Sequence, residues 1–244
     1  MHTHTTTLPK SVLDALETHQ RTRAAFESAR DKVARLRGEL QKHTKAAEAA
    51  DAEALGARSE AAALMRDTGA SMKQIRDLKS KERAAYTLAE DYRAIIAEVQ
   101  LALEEAELEA GLAKGTESAA YSGVATAYAE GLFEVLGDSL APLQHAVQAL
   151  AHAYGRQAVE SGGAPWEQRG YRSALDAALA RAHSAISAGV KAATFDASRD
   201  PVLSLAERPN GLADFNVVSP ATKQMKLAEF ARRADALRTA VRNA

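Results

Sequence analysis

Between Ser71 and Gly111 the chain carries neither glycine nor proline. In that run Ala85, Ala89, Tyr92, Ile96, Val99, Leu103, Ala106 and Ala110 alternate in steps of four and three. Such an alternation is the seam of a helix packed lengthwise on another helix. Leu88, Ile95 and Ala102 each precede a seam residue and widen the stripe beyond a two-stranded minimum. Ser71 with Gln74 three residues on forms a capping box, which sets the helix start. A helix over 71–113 is roughly 64 Å long at the usual rise per residue. So long a rod needs an equally long partner.

The preceding segment supplies one. Pro9 and Ser11 announce a helix whose apolar positions run Val12, Ala15, His19, Thr22, Phe26, Ala29, Val33, Leu36 and Leu40. Its basic residues are interleaved with Glu27, Asp31 and Glu39, which marks a solvated face with i,i+4 pairs rather than a phosphate-binding surface. The alanine-rich stretch 46–66 extends this helix, with a turn expected near Gly56 and little burial for want of large side chains. A short connection over 67–70 then makes 11–66 and 71–113 an antiparallel pair.

Composition excludes several classes. Aromatic residues are 5% of the chain and β-branched residues are scarce, so strands are poorly supplied and the fold class is all-α. There is no cysteine, which removes disulfides, thiolate metal sites and cysteine nucleophiles together. A net charge of −1 gives no global field for nucleic acid or membrane, and no stretch reaches the ~20 apolar residues of a membrane span. MHTHTTTLPK lacks the apolar run of a signal peptide, so a cytoplasmic protein is expected. His2 and His4 are expected to belong to a mobile tail over 1–10 rather than to a metal site, since no further ligand is near them in the sequence.

Further along, Gly111 and Gly115 read as a helix stop, and GLAKGT lacks the spacing of a phosphate loop. The five acids between Glu98 and Glu109 have no histidine near them and read as a solvated face. Two helices are expected next, one over 118–136 ending at Gly137 as C′, the other capped by Ser139. His145 and His152 on the second lack zinc-helix spacing and read as partly buried structural residues. Trp166, in the loop 161–170, is expected to anchor that loop on the core. A helix follows over 171–195, so that 118–195 forms a helical bundle. Residues 197–218 hold Pro201, Pro209 and Asn210-Gly211 without periodicity, which predicts an irregular connection too aperiodic to build a core. Ser219-Pro220 then starts a basic C-terminal helix over 219–243.

The tail carries residues with a known pattern: Arg208-Pro209, Ser219-Pro220-Ala221, then Phe230-x-Arg232-Arg233-x-x-x-Leu237. Together with the long helix from Ser71 and the Leu140-Ala141-Pro142 step, they resemble the polarity-suppression (Psu) family of satellite bacteriophages. The resemblance covers the chain from about residue 10, and only the tail is motif-like. The stretch 46–66 and the loop around Trp166 look inserted, and the spacer before Ser219 looks short.

The resemblance implies an elongated, intertwined homodimer of long helices. The 4-3 alternation puts the expected dimer seam at Ala85, Ala89, Tyr92, Ile96, Val99 and Leu103. The resemblance also implies inhibition of the transcription terminator Rho, and decoration of a phage capsid, with Arg208, Pro209, Ser219, Pro220, Phe230, Arg232 and Arg233 as partner-contact candidates. The expected location is then the bacterial host cytoplasm or the virion surface. An acidic 98–110 and a basic C-terminal helix are expected to meet across the two-fold axis. No residues pair a nucleophile with a base or assemble metal ligands, so no enzyme activity, cofactor or metal is expected, and direct nucleic-acid binding is disfavoured. The competing expectation is a coiled-coil adaptor or capsid-associated structural protein without any action on Rho.

Overall fold

The structure is a computed structural model that describes residues 8–67, 69, 71–164 and 166–243, with side chains for all of these except 138 and 240–243. His2, His4 and most of the tail expected over 1–10 fall outside the described residues, as do Thr68 and Ala70 of the expected connection. Five α-helices follow in order: α1 Lys10–Arg66, α2 Met72–Ser139, α3 Ala141–Ser161, α4 Ala174–Ala192 and α5 Pro220–Asn243. Among the described residues there is no strand, so the fold is all-α. Residue contacts group the chain into two compact units, one of 1–17 with 121–207, the other of 18–120 with 208–244.

The larger unit is built on the antiparallel pairing of α1 and α2. Their ion pairs give the direction: Lys32 with Glu109 at 3.0 Å, Arg37 with Glu107 at 2.7 Å, Asp51 with Arg93, and Glu53 with Lys81 at 3.1 Å. Numbers rise along one helix as they fall along the other. The buried stripe of α1 runs Phe26, Val33, Leu36, then Ala47, Ala50, Ala54, Ala57 and Ala61. That of α2 includes Ile75, Ala85, Ala89, Leu101, Ala106, Leu108 and Ala110. The stretch 46–66 therefore buries five alanines rather than little. Each methyl contributes only about 0.8 kcal/mol, but small side chains let helix axes approach closely along many turns.

The turn expected near Gly56 is absent. α1 continues through it, because Gly56 lies on the open face where nothing packs within 4 Å and the surrounding alanines favour helix. The stop expected at Gly111 and Gly115 is also absent, for a different reason. α2 passes through both residues, and the segment 216–218 lies against them. A Cβ on Gly111 would meet the Asn216 carbonyl oxygen at 2.4 Å and Val218 Cγ2 at 2.6 Å, and one on Gly115 would meet Val217 Cγ1 at 3.1 Å. These glycines admit a neighbouring backbone. They do not end the helix.

In the smaller unit, Val12 and Leu16 of α1 pack with Val124 of α2 and with Val202, Leu203 and Ala206. Tyr128 donates to Asp200 at 3.1 Å, while Asp200 Oδ1 accepts the backbone N–H groups of Val202 and Leu203, each at 2.9 Å. So 197–207 helps build a core, contrary to its aperiodic sequence. Its apolar side chains are aimed inward by short 3₁₀ turns and side-chain caps instead of a helical repeat. α2 also runs past Gly137 to Ser139, and α3 starts with Pro142 in its first turn and no side-chain cap, so Gly137 is not a C′ residue and Ser139 is not a cap. Ser173 does cap α4, accepting from Asp176 N at 3.1 Å. α3 and α4 pack side by side in the same unit.

Candidate functional site

The C-terminal segment of the larger unit is laid across the helix pair, and a buried polar cluster begins that docking. Extending the α2 seam past Ala110 by seven residues reaches Glu117. It is 0% exposed and faces His19 of the α1 seam, itself 1% exposed. Arg208 reaches in from the irregular segment. Its Nε donates to Glu117 Oε1 at 3.0 Å and its Nη2 to Oε2 at 2.6 Å, a two-pronged charge-assisted contact. Arg208 Nη2 also donates to Ser118 Oγ at 2.7 Å, and Ser118 Oγ donates to Glu117 Oε2 at 3.2 Å. His19 Nε2 lies 3.3 Å from Glu117 Oε1.

Burial pushes the Glu117 carboxyl upward, but Arg208, His19 and Ser118 outweigh it and hold the group below the usual carboxylate range. The ionised carboxylate can only accept, so the proton between it and His19 sits on Nε2. Serine, histidine and glutamate here do not form a nucleophile with its base. The serine is bonded to the carboxylate and to Arg208, and His19 and Glu117 are shielded from any substrate.

From Arg208 the chain continues as a strap. Pro209 is buried, and the Asn210 carbonyl accepts from Arg30 at 3.0 Å. Phe215, 7% exposed, sets its ring edge-on to Phe26 with centroids 5.7 Å apart. Lys114 Nζ donates to the Phe215 carbonyl at 2.7 Å, and Val218 N donates to the Gly111 carbonyl at 3.2 Å. Ser219 then caps α5, its Oγ accepting from Thr222 N at 3.1 Å, with Pro220 as the first helical residue. Phe230, 3% exposed, packs on Leu101 and Leu108 of α2. Arg233 makes a two-pronged contact with Glu104, one arm at 3.0 Å, and lies 5.9 Å from the Phe230 ring centroid. The bond to Arg233 holds Glu104 below the usual carboxylate range. Between strap, α2 and α5 lies an open cleft of about 640 Å³, floored by Leu108, Phe215 and Phe230 and edged by Asp214 and Lys226.

No protein-family model, curated protein or solved structure matches this chain.

The candidate seam residues lie where α1 meets α2. Ala85 and Ala89 are buried, Tyr92 is half-buried with its ring 6.0 Å from that of His43, and Ile96 is half-buried. Val99 and Leu103 pack on the cluster of Phe26, Val33 and Leu36. The chain's own first helix therefore occupies this seam. The tail candidates are likewise engaged inside the chain. Arg208 holds Glu117, Pro209 is buried, Ser219 and Pro220 start α5, Phe230 and Arg233 fasten it, and Arg232 donates to its own helix at the Ala228 carbonyl, 3.2 Å away. The basic α5 and the acidic face of α2 meet within one chain, where they had been expected to meet across a two-fold axis.

His145 and His152 are exposed, not partly buried, and no group of three metal-ligating side chains occurs among the described residues. Trp166 is half-buried and lines a small hollow with Tyr154 and Ala177. The residue that the sequence did not single out is Glu117. Its signal was available as an acid at a seam position once the 4-3 alternation is carried through the two glycines.

Proposed function

We propose that this protein is a non-enzymatic phage protein that binds and inhibits the transcription terminator Rho, acting as a homodimer in the bacterial host cytoplasm, with the phage capsid as a second partner. The observation that carries the proposal is the use made of the tail residues on which the resemblance to the polarity-suppression family rests. Arg208, Ser219, Pro220, Phe230 and Arg233 dock a strap and a helix onto a long helical pair. That the residues carrying the resemblance act together in one docked arrangement supports reading them as a unit. On this reading the exposed groups around those residues, on the strap and α5, are the proposed partner-contacting surface.

The test is transcription in vitro with purified Rho. The protein is expected to increase readthrough at Rho-dependent terminators and to slow RNA-stimulated ATP hydrolysis by Rho, while leaving intrinsic terminators unaffected, since those need no motor. Unchanged termination and ATPase activity at several-fold excess over Rho hexamer would overturn the proposal in favour of a coiled-coil adaptor or capsid-associated structural protein.

A further inference from the structure

α3 and α4 pack on each other, yet α3 fully buries only Val147, and α4 only Ala177 and Ala178. Helices of 21 and 19 residues draw most of their stability from burying an apolar face. Here that face is open. Leu140 and Leu143 from the α3 side, with Leu175, Leu179 and Ile186 from α4, line a groove of about 460 Å³ and remain 36–50% exposed. Single exposed apolar side chains need no explanation, but five lining one groove mark an interaction surface.

We infer that this groove is where two copies of the chain join, the α3–α4 face of one against the same face of the other. The inference rests on the proposed homodimer and gives it a location different from the α2 seam, which α1 already covers. Three observations favour a second copy. First, an element pair that buries so little within its own chain needs its cover whenever it is folded, and another copy is the one partner present wherever the chain is made. Second, the groove is edged by Gln144, Gln148 and His183, with no Lys, Arg, Asp or Glu among its lining residues. When a face meets itself across a two-fold axis, a charge close to the axis meets its own copy, whereas a glutamine amide there both donates and accepts and can pair with its own kind. Third, two helices about 30 Å long and together about 20 Å wide offer roughly 600 Å² per copy, which reaches the lower range of stable interfaces.

The full-length protein is tested by sedimentation equilibrium, with circular dichroism as the control for folding. Gln144 and Gln148 are exposed, so changing both to Lys, or both to Glu, leaves the fold of a single chain intact. Wild type is expected to be dimeric. Each doubly substituted protein is expected to dimerise at least about a hundredfold more weakly, because like charges then face one another. An equimolar mixture of Q144K/Q148K with Q144E/Q148E is expected to form heterodimers. A wild-type protein that stays monomeric overturns both the inference and the homodimer on which it rests. A dimeric wild type whose two variants dimerise as tightly as it does overturns this location alone, and so does a mixture in which the variants show no preference for each other.

Discussion

Glu117 is shielded from water and is held ionised by Arg208, His19 and Ser118. A buried charge of this kind is destabilising if its partner is lost, by about 3–5 kcal/mol where both groups are enclosed. The Arg208 side chain is 41% exposed, so the loss is smaller here. Glu117→Gln is expected to cost about 2 kcal/mol in urea unfolding. The pH dependence has a definite sign. The folded pKa lies below the unfolded value of about 4.3, so the stabilisation is complete above that pH and is lost as pH falls through the folded pKa. Glu117→Gln should remove part of the acid-range decline seen in wild type. Parallel wild-type and variant profiles between pH 5 and 2 would contradict this. Arg233 and Glu104 are 46% and 42% exposed, and screening by water limits their contact. Arg233→Ala is therefore expected to lower the melting temperature only slightly.

Two glycines show how the same residue serves opposite ends in these helices. Gly56 sits at an open position of α1, where nothing would meet a Cβ within 4 Å. Gly56→Ala should therefore stabilise the protein by about 0.5–1 kcal/mol, the difference in helix propensity. Gly111→Ala gains the same propensity but drives a methyl into the Asn216 carbonyl and Val218. The strap must then move, breaking the bond from Val218 N to the Gly111 carbonyl. Faster hydrogen exchange at the Val218 amide and a lower melting temperature are expected. A variant as stable as wild type, with Val218 still protected, would show that the strap does not depend on this close approach.

Within the larger unit, α5 covers part of α2 that α1 leaves open, since Leu101 and Leu108 form a separate cluster with Phe230. Deleting 219–244 should expose that cluster. Binding of an apolar dye should rise, and stability should fall by at least the ~2–3 kcal/mol of burying a phenylalanine. Most helical ellipticity should persist, because α1 and α2 keep their mutual seam. If the protein acts on Rho, the deletion should abolish that action as well, since α5 is removed and the strap loses the helix that follows it. A deletion that still inhibited Rho fully would place the contact on the remaining helices.

The all-α class and the antiparallel helix pair were legible in the sequence, because a 4-3 alternation of apolar residues is a local, repeated signal that few other structures satisfy. The start near Ser71 was legible from its capping box, and the helical character of 46–66 from alanine propensity, though not its burial. Glycine and aperiodic segments were misread. Gly56, Gly111 and Gly115 weaken a helix locally, yet no sequence rule says whether a given glycine ends a helix, sits idle on its open face, or leaves room for a distant backbone. Only the placement of 216–218 against α2 decided that Gly111 does the last. Packing likewise decided the fate of the segment 197–218, whose Val202 and Leu203 are buried in one cluster and Phe215 in another. Periodicity reports what an element can bury along its own axis. The docking of an irregular strap depends on gaps and charges, such as Gly111 and Glu117, that lie about a hundred residues away and acquire meaning only when the chain is folded.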